Sequence, residues 1–254
     1  MKNLLIYISP SKSFDTSSKN FRQYAGALAK IQIDNIFDLG GKKEDILLIT
    51  NFDYQYNGVK SLVVDDNNYC SFSPISTKTP TVVYLIAKGI LKKEELYFVH
   101  DFDAYQLNAI KESELELGTA DVGFTDYGWS EKWCLGSYFL KSSALDIFQW
   151  IKDAMYKYQV NEERVLLMLT RSNTNNINER YKRLNITYNL GKKQVGYNYK
   201  IATKPLKVLH FHPYYKDRKL PETNLECFMY GKNELNMPLM TERLIKIFHH
   251  HDIK

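Results

Sequence analysis

Apolar residues along this chain come in two rhythms, and the changes between them lay out the elements. Residues 4–8, Leu4-Leu5-Ile6-Tyr7-Ile8, form a continuous apolar run that predicts a buried strand. Ser9-Pro10 ends it, and a Ser/Lys/Thr-rich loop continues to Ser18. Over 20–31, Phe21, Tyr24, Leu28 and Ile31 recur near helical spacing, which predicts a helix. A second buried strand is expected over 45–50, after the Gly40-Gly41 turn, and a third over 60–64, closed by Asp65-Asp66-Asn67-Asn68. The polar stretch 65–80 is a long loop, of the kind that often carries function. Residues 81–90 then predict an amphipathic helix, and 96–99 another strand.

The second half changes character. A short strand is expected over 120–124, followed by an aromatic, glycine-punctuated segment through Tyr127, Gly128, Trp129, Trp133 and Gly136. Helices are expected over 142–158 and 162–170, a polar and weakly strand-like stretch over 171–200, and a buried strand over 205–209. A helical tail near 240–248 closes the chain. Strand and helix alternate through the first hundred residues, the signature of a mainly parallel sheet. No internal repeat and no Pro/Gly/Ser-rich linker divides the chain, so one α/β domain is expected.

Composition narrows the classes. Three widely spaced cysteines without a C-x-x-C pair exclude a zinc knuckle or disulfide scaffold and favour a reducing compartment. The apolar start is too short for a secretory signal, and no window approaches a membrane span. The net charge of +5 is spread over short Lys pairs, which describes a solvated surface and not a nucleic-acid stripe. It does favour an anionic small substrate such as a nucleotide. Neither a P-loop nor a G-x-G-x-x-G fingerprint is present, and there is no G-x-S-x-G elbow.

The candidate chemistry gathers after the strand at 96–99, where Asp101 and Asp103 follow an apolar run. Residues two apart in an extended segment point the same way, so both carboxylates can aim at one spot beyond the strand's carboxyl end. Open α/β sheets bind ligands there. Two converging carboxylates need a cation, and a hard divalent ion completes its shell with substrate phosphates. An Asp that opens a turn and an Asp that caps a helix would produce the same letters.

His210 and His212 alternate at the end of the late strand and direct both imidazoles to one side. With Asp101 and Asp103 they form a candidate site for Mn2+ or Mg2+, and Lys216 lies within reach of a bound diphosphate. Glu163, in the first turn of the helix at 162, is a candidate general base, with Asp121 and Asp126 as rivals. The terminal His249-His250-His251 run is expected to splay, because consecutive helical residues point in different directions.

Four features in this order resemble the nucleotide-sugar glycosyltransferases of the GT-A fold. They are Val99-His100-Asp101-Phe102-Asp103, the glycine segment Leu135-Gly136-Ser137-Tyr138-Phe139, the acidic helix start Asn161-Glu162-Glu163, and the late strand Val208-Leu209-His210-Phe211. The resemblance implies a single Rossmann-like domain with a mainly parallel central sheet flanked by helices. It implies a nucleotide-binding half (1–110), an acceptor-binding half (111–220) and a small helical tail (221–254). It further implies a nucleoside diphosphate sugar donor, UDP-sugar favoured, a glycan or glycoprotein acceptor, and Asp101, Asp103 and His210 as Mn2+ or Mg2+ ligands. Glu163 would be the base of an inverting enzyme, with Asp126 as the alternative; a retaining enzyme would need no such base, and the sequence does not decide between the two. Tyr7, Ser9, Ser11 and Lys12 of the first loop, and Lys78 of the 65–80 stretch, would hold the donor. The late strand departs from relatives that continue as His-Phe-x-Gly, reading His210-Phe211-His212-Pro213 here, so His212 could replace His210. Size and the lack of an anchor look like bacterial or large-virus enzymes, which implies a cytoplasmic location in the bacterium or infected host cell. A metal-dependent phosphotransferase or nuclease, and a non-catalytic carbohydrate-binding module, are the rival classes.

Overall fold

The computed structural model describes residues 1–14, 25–128, 132–191, 195–210 and 241–252. In chain order the elements are β1 (Lys2–Tyr7), α1 (Ala25–Asp38), β2 (Ile46–Thr50), β3 (Gln55–Tyr56), β4 (Val59–Lys60) and β5 (Leu62–Val63). Next come α2 (Lys78–Ala87), β6 (Tyr97–His100), β7 (Ala104–Gln106), α3 (Glu112–Leu115), β8 (Val122–Asp126) and β9 (Trp133–Leu140). The rest are α4 (Leu145–Tyr158), α5 (Glu162–Arg171), β10 (Tyr181–Arg183), β11 (Leu190–Gly191), α6 (Val195–Ile201), β12 (Val208–His210) and α7 (Glu242–His250).

Among the described residues the main sheet has seven strands in the order β10-β8-β9-β6-β1-β2-β5. Every pairing is parallel except those of β9, which runs antiparallel to both β6 and β8. Period-2 alternation sends successive apolar residues to opposite faces, and both faces are covered. Leu4, Tyr97 and Val99 join α2, α4 and α5 in one core layer. Leu5 and Leu48 pack with Ile33 and Ile36 of α1 on the other side. A second sheet, β11-β12-β7, extends that side, and its Tyr105 and Leu209 cluster with Leu28 of α1 and Leu244 and Phe248 of α7.

The expected α/β class and terminal helix are present. The 133–139 segment is β9, the longest strand, buried along its whole length; burial on both faces erased the alternation that marks a strand in sequence. The strand expected at 60–64 is divided at Ser61, whose N–H bonds Tyr54 carbonyl, so β4 pairs in a hairpin with β3 while β5 edges the main sheet. The helix expected over 81–90 is α2, starting earlier and ending before Gly89 at φ +67°. Pro80 sits in its first turn, where no helical donor is lost. The described part of the first helix runs on to Asp38. Among the described residues no helix is long and apolar enough to cross a membrane.

The terminal helix is built into the core. Phe248 is fully buried with its ring 4.8 Å from that of Tyr105. Arg243 donates to the carbonyls of Gln106 and Leu107 and to Asn35 Oδ1 of α1. Phe248→Ala should therefore cost about 3 kcal/mol or more in urea unfolding, as large-to-small changes in cores do; a loss under about 1 kcal/mol would show a tail merely resting on the surface.

Candidate functional site

The chain leaves the main sheet at the carboxyl end of β6. Asp101 N–H still bonds Gly136 carbonyl on β9 at 2.9 Å, and Ala104 N–H returns to Asp101 carbonyl at 3.0 Å, closing a tight turn around Phe102 and Asp103. Gln32 of α1, fully buried, holds that turn by donating to the carbonyls of Phe102 (2.9 Å) and Ala104 (3.0 Å). The antiparallel register of β7 with β12 sets His210 opposite Ala104, one residue from Asp103.

This pairing brings the imidazole to the carboxylates. His210 Nε2 lies 3.3 Å from Asp103 Oδ1, and one ligand-type atom from each of Asp101, Asp103 and His210 falls within 4.8 Å of the others. On the far side of the ring, Nδ1 is 2.9 Å from Asn189 Oδ1 and 3.5 Å from Cys134 Sγ. Asn189 Nδ2 donates to Asp126 carbonyl at 3.2 Å, which leaves Oδ1 as the acceptor and places a proton on His210 Nδ1. Nε2 then faces Asp103. Burial opposes charging this ring, but Asp103 and Cys134 together hold its pKa well above the usual range.

Gly136 makes the approach possible. A Cβ built there would stand 2.0 Å from His210 Cε1, so the ring lies on the bare backbone. No other residue leaves that space.

One buried cation serves several carboxylates. Lys78, at the start of α2, places Nζ 2.6 Å from Asp101 Oδ1. Burial lowers its proton affinity, but the fields of Asp101 and Glu162 outweigh that and hold the ammonium above its ordinary range. Glu162 is 3% exposed, its Oε2 has no hydrogen-bond partner among the described residues, and burial pushes its pKa up to about 7 despite Lys78. Glu163 accepts from Leu135 N–H (3.1 Å) and from Tyr127 hydroxyl (3.2 Å). Burial raises it too, with Lys78 opposing. Asp101, Asp103 and His210 together offer an O,O,N donor set that fits a hard or borderline divalent cation, which would take the place of the proton on His210 Nε2.

The fold of the chain resembles that of several solved structures. No protein-family model matches it and no curated sequence does. The galactosyltransferase LgtC, solved in complex with donor and acceptor sugar analogs, superposes at a TM-score of 0.60 with 11% identity, over 98% of this chain and 96% of that one. A glycosyltransferase involved in the glycosylation of the major capsid of PBCV-1 gives 0.54 with 12% identity, over 83% and 93%. Glycosyltransferase GlyE of Streptococcus pneumoniae TIGR4 gives 0.52 with 13% identity, over 100% and 65%. The chain has the GT-A glycosyltransferase fold.

Within this GT-A fold the sequence-derived residues separate into groups. Asp101, Asp103 and His210 converge, with Lys78 on Asp101; Lys78 belongs to helix α2 and not to the loop before it. Tyr7 ends β1 and stacks on Phe102 at 5.8 Å. Ser9 bonds Ser11 and is held by Asn51, while Lys12 pairs with Asp66 at 2.8 Å on the surface. Asp126 is ion-paired with Arg183 through one oxygen and accepts Gly128 N–H at 2.7 Å through the other. Asp121 is bound by Arg180. Trp133 is buried and donates to Thr170, a core position. His212, Lys216 and Trp129 lie outside the described residues.

Sequence reasoning missed Gln32, Asn189, Cys134 and Glu162. Glu162 stands in the acidic helix start Asn161-Glu162-Glu163 but is passed over for Glu163, and Gln32 carries a signal as a polar residue inside the apolar Ile31-Gln32-Ile33 stripe.

Two outcomes follow from this geometry. Gly136→Ala should displace the His210 ring and weaken Mn2+ binding at least about tenfold, as loss of ligand support does, with the circular dichroism spectrum retained; unchanged binding would show that the ring does not need the glycine. Glu162 keeps its proton in the fold up to about pH 7 but loses it near 4.5 when unfolded. Its contribution is therefore full at low pH and lost as pH rises from roughly 4.5 through 7, up to about 3 kcal/mol. Denaturation across that window should show wild type falling relative to Glu162→Gln, and parallel curves would contradict it.

Proposed function

We propose that the protein is a divalent-cation-dependent glycosyltransferase that moves a sugar from a nucleoside diphosphate sugar, UDP-sugar favoured, to a hydroxyl of a glycan or glycoprotein acceptor. The observation that carries this reading is the convergence of Asp101, Asp103 and His210 at the carboxyl end of β6, where open α/β sheets receive ligands. The GT-A fold supports it, as do neighbours of that fold solved with donor and acceptor sugar analogs or described as acting in capsid glycosylation.

Asp101, Asp103 and His210 would hold Mn2+ or Mg2+. A bound divalent cation supplies Lewis-acid neutralisation of the diphosphate as the sugar bond breaks. Lys78 adds a fixed positive charge beside Asp101, where the leaving group's charge develops. Tyr7, Ser9 and Ser11 offer the first loop to base and ribose, and Lys12 adds charge at its edge.

Glu163 is the residue assigned to take the acceptor proton. Burial raises its pKa, which makes the carboxylate a stronger base, and the Tyr127 and Leu135 donors fix its orientation. Asp126 is the weaker choice, since Arg183 and Gly128 N–H occupy its two oxygens.

Asp103→Ala should abolish Mn2+-dependent hydrolysis of a UDP-sugar while the protein stays folded; retained turnover would remove the cation site from the chemistry. Glu163→Gln should lower transfer by about 10²–10⁴-fold, the usual worth of general base catalysis, with donor Kd within about twofold. Equal losses in transfer and donor binding would reassign the role to Asp126.

A further inference from the structure

A second cluster of ligand-type side chains lies where the terminal helix meets α1. Asp34 of α1 and the consecutive histidines His250 and His251 bring one ligand-type atom each to within 4.8 Å of one another. Gln32 and Asp34 are about 200° apart around α1, so the helix turns one side to the Asp101–Ala104 turn and another to this cluster.

We propose that Asp34, His250 and His251 form a transition-metal site of the zinc type that staples α7 to α1. Two imidazoles and one carboxylate are a donor set that binds Zn2+ with water in a fourth position. The expected splaying of neighbouring histidines does not occur, because the helix ends between them. His250 is the last residue of α7, while His251 has left helical geometry at φ −103°, ψ 24°. Its ring turns across, edge to face with that of His250 at 4.9 Å.

The carboxylate is held for this role by groups outside the cluster. Tyr56 hydroxyl donates to Asp34 Oδ2 at 2.9 Å and Asn57 Nδ2 to Oδ1 at 3.3 Å. Such outer hydrogen bonds orient metal-binding carboxylates. His251 Nε2 stands 2.6 Å from Asp34 Oδ2. Tetrahedral ligation separates neighbouring donor atoms by about 3.3 Å, so the pair opens by ~0.7 Å, within side-chain rotation. An adjoining cleft of about 400 Å³, bounded by Asp38, Arg243, Ile247 and His250, leaves room for the water. Because Arg243 ties α7 to Asn35 and to the end of β7, the staple braces the helix that holds the Asp101–Ala104 turn. The proposal is independent of the glycosyltransferase reading.

Zn2+ titration of the full chain by calorimetry tests it, in an Asp103→Ala background that disables the candidate centre. One Zn2+ per chain should bind and raise Tm. His250→Ala, His251→Ala and Asp34→Asn should each weaken binding at least about tenfold, while His249→Ala should leave it unchanged. His250 is exposed and Asn is isosteric with Asp, so both variants keep the metal-free fold, checked by circular dichroism. Absence of Zn2+ binding would overturn the proposal. So would wild-type affinity in Asp34→Asn, the result of simple chelation by the histidine run, or equal losses in His249→Ala and His250→Ala.

Discussion

An imidazole resting on a glycine backbone sets the geometry of the whole candidate centre. His210 reaches Asp103 because β12 pairs with β7 in a register that brings it opposite Ala104, and because Gly136 on β9 has no side chain in its way. Three separate chain segments therefore have to be in place at once: the end of β6, the middle of β9 and the end of β12. Each belongs to a buried strand, so packing fixes the centre to the accuracy of the core. Gln32 then locks the turn from beneath.

Charge explains why such a centre wants a ligand. Burying carboxylates is costly unless cations or donors compensate them. Lys78 lies beside Asp101 and opposes the rise in the pKa of Glu162 and Glu163, but burial, the larger effect, raises both. In the proposed function a cation and the diphosphate it carries would complete the balance. The same burial raises the pKa of Glu163, the direction that suits the base role proposed for it.

The main outline was legible in sequence because strands buried on both faces are written as apolar runs. Residues 4–8, 45–50 and 205–209 and the helices at 142–158 and 162–170 all announced elements that the structure contains. What stayed hidden depended on pairing between distant segments. β9 lacks alternation because both its faces are covered, and Asn189 and Cys134 acquire meaning only when β12 carries His210 to them. Asp101 and Asp103 could be found because two carboxylates at a strand's end break an apolar pattern. Gly136 was visible as part of a motif, though the reason for it, a ring at 2.0 Å from a notional Cβ, is purely three-dimensional. The terminal histidines show the limit of helical geometry as a guide, since the helix stops between His250 and His251.

In the proposed function Asp101, Asp103 and His210 share one cation with a diphosphate. Calorimetric titration of the wild-type chain with UDP, in the presence and absence of Mn2+, measures that sharing as a coupling between the two ligands. Mn2+ is expected to tighten UDP binding by about tenfold or more, in the range of ordinary site-to-site coupling. Equal UDP affinity with and without Mn2+ would contradict it.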